Sequence, residues 1–441
     1  MVQIFFIFVL AAIGYLVFRA RVNSGIALAL IWSTYTLEQF LQFSNGFFLS
    51  HGYLVNVSTV LFVIGSLTYS SMVGRMKGGI VLTRSHYWWL ALCGWTALTL
   101  VWSVYRGSGE ILVQSIPYIG GFVLLGPFCA QNDKQVSKAI QVTIFFGGLV
   151  LTGMLFCTFG HRSVSLGYIN GKAVEGNPLA VATYGGYVTT CAVFSIFNSR
   201  SNVLLLAAKL AIAMLGLYTI VKTGSRGQLF AVVVACGIWL PVTGGMTFKW
   251  SNILLLLLAI GVFVGGVSFI GDVGLTNRWQ VDNLTRDGGS RFAAANYMVN
   301  KLFDAGPAYW LVGLGTSSSY KYLDSYPHLV PAEVLVEEGI VGFVLFSVFL
   351  FITTRNGWKV LSSKEIKLET RTNIGCLLAL FTFQFGLSLK QGSLLGSPLL
   401  FCVGLCIAVS VRRILAEGKG KFLRAGRHAV PTTRQFLTGH Q

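Results

Sequence analysis

Residues 203–242 read VLLLAAKLAIAMLGLYTIVKTGSRGQLFAVVVACGIWLPV. Two apolar runs flank the short polar turn KTGSRGQ, and a membrane-spanning helix needs about 20 predominantly apolar residues. The stretch therefore predicts two antiparallel spans, at 203–221 and 228–242, joined by a turn that keeps two cations at the membrane boundary. The same pattern recurs along the chain. Candidate spans fall at 2–18, 25–43, 53–71, 87–104, 111–130, 137–157, 179–197, 252–271, 332–354, 372–389 and 394–411. Of the 441 residues 54% are hydrophobic and 11% charged, and the mean hydropathy is +0.69. A soluble chain carries about 25% charged residues. The expected fold is thus an all-α polytopic membrane protein of about 12–13 transmembrane helices. The first apolar run lacks a basic leader and a small-residue cleavage site, so it is read as a mature span.

Charge sets the orientation. With the C-terminus inside, 22 of the 33 Lys and Arg lie on the inner side, and every inner loop carries at least one; positive residues collect on the cytoplasmic face. That distribution also accounts for the net charge of +18 without a nucleic-acid partner. The chain divides into an N-terminal bundle (1–271, about ten spans), a large periplasmic loop (272–331) with short amphipathic helices, C-terminal transmembrane helices (332–411) and a basic cytoplasmic tail (412–441). The tail lacks apolar periodicity and reads as unstructured, drawn to anionic lipid. The eight cysteines sit within or at the ends of apolar segments with no CxxC pair, as buried small hydrophobes do.

The outer side collects the chemistry. The loop holds five of the six aspartates. Its segment 290–305, SRFAAANYMVNKLFDA, predicts an amphipathic helix capped by Ser290. A turn, an extended piece and a Gly/Ser loop should follow. Pro331 then opens the next span. Arg226 lies between Gly224 and Gly227, Arg291 begins the amphipathic helix, and His328 precedes the eleventh span. Arginine is suited to bidentate contact with phosphate oxygens, and a histidine beside it can take a proton near neutral pH. Singly, each of these has an ordinary reading, as an interface anchor or a polar loop residue. Lys222 is a secondary cation, and Arg278 or Arg286 can replace Arg291 as the second anion ligand. Glu333 and Glu337 mark the wet end of a helix, and Tyr326 is among the loop aromatics able to stack on a sugar ring. No DxD, HExxH or His/Cys cluster points to a metal, and no phosphate-binding loop points to an ATP-driven pump.

Several of these segments resemble the bacterial O-antigen ligase and polymerase family. TGSRGQLFAVVV (223–234) is similar to its "SRG" segment, and 288–319 to its second arginine with the following Gly-x-Gly loop. His328-Leu329, nine residues and then Gly339-Ile340-Val341-Gly342 resemble its His-polar-x9-Gly-x-x-Gly motif. EGNPLAVA (175–182) is similar to its Asn-Pro segment. The resemblance covers roughly residues 170–345. It implies a glycosyltransferase of the bacterial inner membrane, facing the periplasm, that moves a glycan from undecaprenyl diphosphate to a glycan or lipid acceptor without metal, cofactor or nucleotide sugar. By position, Arg226 and Arg291 would hold the diphosphate and His328 would orient or deprotonate the acceptor hydroxyl. Membrane lipids and a chain-length regulator protein are the further partners it implies. Leu329 departs from the polar residue that ligases carry there, which favours an O-antigen or exopolysaccharide polymerase over a ligase acting on lipid A-core. An acid-dependent polyprenyl-monophosphate transferase would need a carboxylate in the first outer loop, where FSNGFFLSHGY (43–53) has none. A flippase or transporter would need ionisable groups deep within the spans, where Glu38 is the one acid.

Overall fold

A computed structural model describes residues 2–20, 23–73, 82–159, 163–169, 172–197, 203–244, 281–363 and 365–428, with the backbone alone for residues 2, 281–288 and 417–428. The candidate span at 252–271 and Arg278 lie outside the described residues. The chain is mostly helical. Among the described residues nine helices are long and apolar enough to cross a membrane, which makes this a multi-pass membrane protein.

In chain order the helices are α1 (Val2–Ala20), α2 (Gly25–Ser44), α3 (Gly46–Ser50), α4 (Tyr53–Met72), α5 (Arg84–Thr99), α6 (Ser108–Pro117), α7 (Asp133–Met154), α8 (Pro178–Phe197), α9 (Val203–Lys222) and α10 (Arg226–Thr243). After the undescribed stretch come α11 (Val281–Asp304), α12 (Pro307–Val312), α13 (Ser319–Leu323), α14 (Val330–Ser362), α15 (Leu368–Ser388) and α16 (Pro398–His428). α6 continues through a π turn at Tyr118–Leu125 and a 3-10 turn at Gly126–Ala130, so the span expected at 111–130 is one winding segment.

Four local features differ from the sequence reading. A three-stranded antiparallel sheet, β1 (Thr158–Phe159), β2 (Val164–Ile169) and β3 (Lys172–Gly176), fills the loop after α7. It lies against α3 and the end of α2, where Gly167 packs on Leu49 of α3 and Gly176 on Gln39 of α2. Ser290 is not a cap, because α11 begins at Val281 and runs through the Gly-Gly-Ser sequence. The stretch expected to be extended is the short helix α12, entered through Pro307. The last helix continues to His428, into the basic region read as unstructured.

Close helix contacts position the outer turns. α8 and α9 meet at Gly185 and Gly216, where a methyl on either would fall within 2.8 Å of the other's carbonyl oxygen. Small residues let backbones approach in this way in membrane bundles. Trp239 on α10 donates through Nε1 to Thr382 Oγ1 on α15 at 2.8 Å. The eight cysteines are free thiols, six of them buried, in keeping with their apolar surroundings.

Candidate functional site

The turn KTGSRGQ is a helix stop followed at once by a helix start. Gly224 has φ +67°; its N–H donates to Val221 O at 2.9 Å, and that of Ser225 reaches back to Ile220 O at 3.2 Å. This pair of bonds around a left-handed glycine is a Schellman C-cap. It reverses the chain within three residues and makes Arg226 the first residue of α10, half-buried. Lys222 turns away: its Nζ donates to Leu155 O at 2.8 Å and lies over the Phe159 ring, so it ties the turn to the sheet loop.

Gly227 serves a different purpose. A Cβ there would lie 2.1 Å from Lys390 Cδ and 2.6 Å from its Nζ. Lys390 therefore passes across the start of α10, where its Nζ donates to Gln228 Oε1 at 3.3 Å. Gln228 donates in turn to Gln391 Oε1 at 2.8 Å. From the other side, Arg291 Nη1 on α11 donates to Lys390 O at 2.9 Å. Arg226, Lys390 and Arg291, far apart in sequence, are thus linked through adjoining residues at one end of the bundle. Arg286 lies five residues before Arg291 on α11, where the backbone alone is described.

His328 belongs to the same cluster. Its edge meets the Tyr326 ring at a centroid distance of 4.4 Å. Burial, and then the nearby Arg291 charge, hold its imidazole below the ordinary range, which favours the neutral, proton-accepting form. Tyr326 is pushed up by burial and by the Glu333 carboxylate, with Arg291 opposing. The backbone of His328 has φ +59°, as Ser317 and Asp324 have +58° and +52°. Non-glycine residues in that region cost on the order of 1–3 kcal/mol each and cluster at functional sites.

His328 stands just ahead of a broken helix. α14 bends sharply at Gly339, with φ +69° and ψ −170°. Unbroken, 33 residues would run about 50 Å at 1.5 Å each, well beyond the ~30 Å hydrocarbon core. The break divides off residues 330–338 and frees the carbonyls of Val336, Glu337 and Glu338, which then accept from Leu314 N–H at 2.9 Å, Gly315 N–H at 2.9 Å and Trp95 Nε1 at 2.8 Å. Gly313 (φ +80°) sits so close that a Cβ on it would meet Glu337 O at 2.1 Å. The Gly-x-Gly loop and the Gly339 motif are therefore two halves of one backbone junction.

The acids of 333–338 have different jobs. Glu337 is buried and accepts from Ser317 N–H at 2.6 Å, Ser319 N–H at 3.1 Å and the Ser319 hydroxyl. It fixes the loop and has little left for a ligand. Glu338 accepts from Thr99 Oγ1 at 2.9 Å and Thr316 Oγ1 at 3.1 Å, tying that loop to α5. Glu333 is 4% exposed; one of its oxygens accepts from Leu394 N–H at 3.0 Å, and the other has no partner. Of the two acids picked out from sequence, Glu333 keeps a free lone-pair face beside Tyr326.

Lys390 and the role of Glu338 were missed from sequence. The signal for Lys390 was present: it is one of the 11 cations that the charge pattern assigns to the outer side, between the last two expected spans. Among the described residues no group of three or more His, Cys, Asp or Glu is arranged to hold a metal ion. No protein-family model matches this chain, and no curated protein matches it significantly.

Proposed function

We propose that this protein is a periplasmic-face glycosyltransferase that moves a glycan from undecaprenyl diphosphate onto an acceptor sugar hydroxyl, and that it acts as a surface-polysaccharide polymerase. The observation that carries this reading is the convergence of Arg226, Arg291 and Lys390 with a half-buried histidine at one membrane face. A diphosphate at headgroup depth satisfies three fixed cations better than a single carboxylate would, and arginine offers it two parallel donors.

In this scheme the acceptor hydroxyl attacks the anomeric carbon as the bond to the diphosphate oxygen breaks. Neutral His328 Nε2 or Nδ1 takes the hydroxyl proton, and undecaprenyl diphosphate leaves with the bonding electrons. The cations face the charge that grows on that leaving group. Preorganised donors of this kind are each worth about 2.7–4 kcal/mol in a comparable oxyanion case. Tyr326, with its hydroxyl kept protonated, offers a ring face and a donor to the sugar. Leu329 after the histidine supports polymerase over ligase.

The test is to supply the purified protein with an undecaprenyl diphosphate-linked repeat unit and resolve the products by mass. A ladder of multimers supports the polymerase. Consumption of donor only when lipid A-core is added makes the enzyme a ligase. Movement of intact donor across a vesicle membrane without bond cleavage makes it a flippase.

A further inference from the structure

A second polar site lies at the opposite end of the bundle, and it does not rest on the transferase reading. α15 runs from Leu368 at that end to Ser388 beside the cation cluster, a separation of about 30 Å at 1.5 Å per residue. Between α7, α8, α9 and the start of α15 is a cavity of about 210 Å³, lined by Ser137, Gln141, Ser195, Lys209, Glu369, Thr372, Asn373 and two apolar side chains. One water needs roughly 10–15 Å³ of such space, so the cavity admits a whole headgroup.

Two charged side chains line it. Lys209 is 5% exposed although it stands on a membrane-spanning helix, and Glu369 is exposed. They are not bonded to each other: the one ion pair among the described residues is Lys301–Asp304. A lysine packed into a membrane-spanning helix bundle with no acid bonded to it is a candidate functional site. The serine hydroxyls of 137 and 195 line the cavity and can donate beside the lysine. Thr372 already donates to Leu368 O and Asn373 to Asp133 O. The cavity thus offers a cation inside and an anion at the rim, separated by neutral polar groups.

We infer that this cavity binds a zwitterionic phosphoethanolamine headgroup, its phosphate on Lys209 and its ammonium on Glu369. A dianionic phosphate would be repelled by Glu369, and a choline headgroup has no N–H to give it. The first turn of α9 supports a lipid source, since Val203 and Leu204 are 82% and 79% exposed and place an apolar surface two turns from Lys209.

The full chain, purified in detergent, would be titrated with short-chain phosphatidylethanolamine, phosphatidylglycerol and phosphatidylcholine and followed by native mass spectrometry. The expected result is one tightly held phosphatidylethanolamine per chain. Lys209→Met should weaken it at least about tenfold, the weight of one charge-assisted hydrogen bond, and Lys209→Arg should retain it. Glu369→Gln should erase the preference for phosphatidylethanolamine over phosphatidylglycerol. If Lys209→Met does not accumulate, Ser137→Phe fills the cavity with the lysine in place and should also lose the lipid. Soluble phosphoethanolamine competing at the same concentration as the lipid would assign the site to a free ligand of the same chemistry. Equal binding of all three lipids, unchanged by Lys209→Met or Ser137→Phe, overturns the inference. Transferase activity does not enter this readout, so either claim can fail alone.

Discussion

Replacing Gly339 with alanine tests the junction on which the outer site rests. The backbone there, φ +69° and ψ −170°, lies in a region essentially confined to glycine, and occupying it otherwise costs on the order of 1–3 kcal/mol. The new methyl would also meet Leu311 O at 2.3 Å and Gly313 N at 2.5 Å, both backbone atoms that cannot swing aside. If the loop retreats, the Leu314 and Gly315 N–H bonds to Val336 O and Glu337 O go with it, at about 0.5–1.5 kcal/mol apiece. The total is about 2–6 kcal/mol, a large share of the ~5–15 kcal/mol that separates typical folded and unfolded states. Gly94→Ala is the matched control, because that helical position has open space around its Cβ and alanine there should gain about 0.5–1 kcal/mol. Thermal unfolding of both variants in detergent, followed by tryptophan fluorescence and limited proteolysis, reads the difference. Gly339→Ala should melt well below wild type and become cleavable between residues 313 and 329. Equal melting of the two variants would refute the broken-helix account.

Other changes probe single contacts. Glu337→Ala removes the acceptor of Ser317 and Ser319 and leaves buried N–H groups unpaired, a loss of about 1–3 kcal/mol visible as faster proteolysis of the same loop. Gly227→Ala drives a methyl into the flexible Lys390 side chain; melting should hardly change while affinity for a diphosphate-linked lipid falls several-fold in a binding titration. The folded-state pKa of His328 is depressed, so near pH 6 the unfolded chain binds more protons than the folded one. Its contribution to stability is therefore present above the ordinary value of about 6.5 and is lost as pH falls below it. Arg291→Gln removes one of the two causes, and NMR of labelled histidine should show the His328 titration moving up toward 6.5; an unmoved titration would separate the two residues.

The helices were legible because a membrane imposes length and composition on its spans: twelve of the thirteen expected spans coincide with described helices, and nine of those helices are long and apolar enough to cross a membrane. The turn at 223–227 was equally plain, since Gly224 supplies the positive φ that the reversal needs. Less visible was anything depending on side-chain convergence between distant segments. Lys390 looks like an ordinary interface lysine until Gly227 is seen to make room for it. Glu337 read as the wet end of a helix, yet it and its neighbour Glu338 are buried under the 313–319 loop, because the Gly339 break turns the helix end back into protein. The sheet at 158–176 escaped notice because its strands are short and its alternation weak. Ser290 looked like a helix start because glycines precede it, but the face carrying Met298 and Leu302, which packs on Leu314 and Val336, holds a longer helix together.

The most direct test of the account is donor cleavage by the purified protein in the presence of EDTA, comparing wild type with Arg226→Ala, Arg291→Ala and His328→Asn. Asparagine tolerates the left-handed backbone at 328, so that variant removes the imidazole without adding strain. The account predicts that wild type releases undecaprenyl diphosphate and extends the glycan. The arginine variants should lose about two to three orders of magnitude in rate, as expected for one such donor, and His328→Asn about 10²–10⁴-fold, as expected for general acid–base catalysis, all while remaining folded. Full activity in all three variants would contradict it.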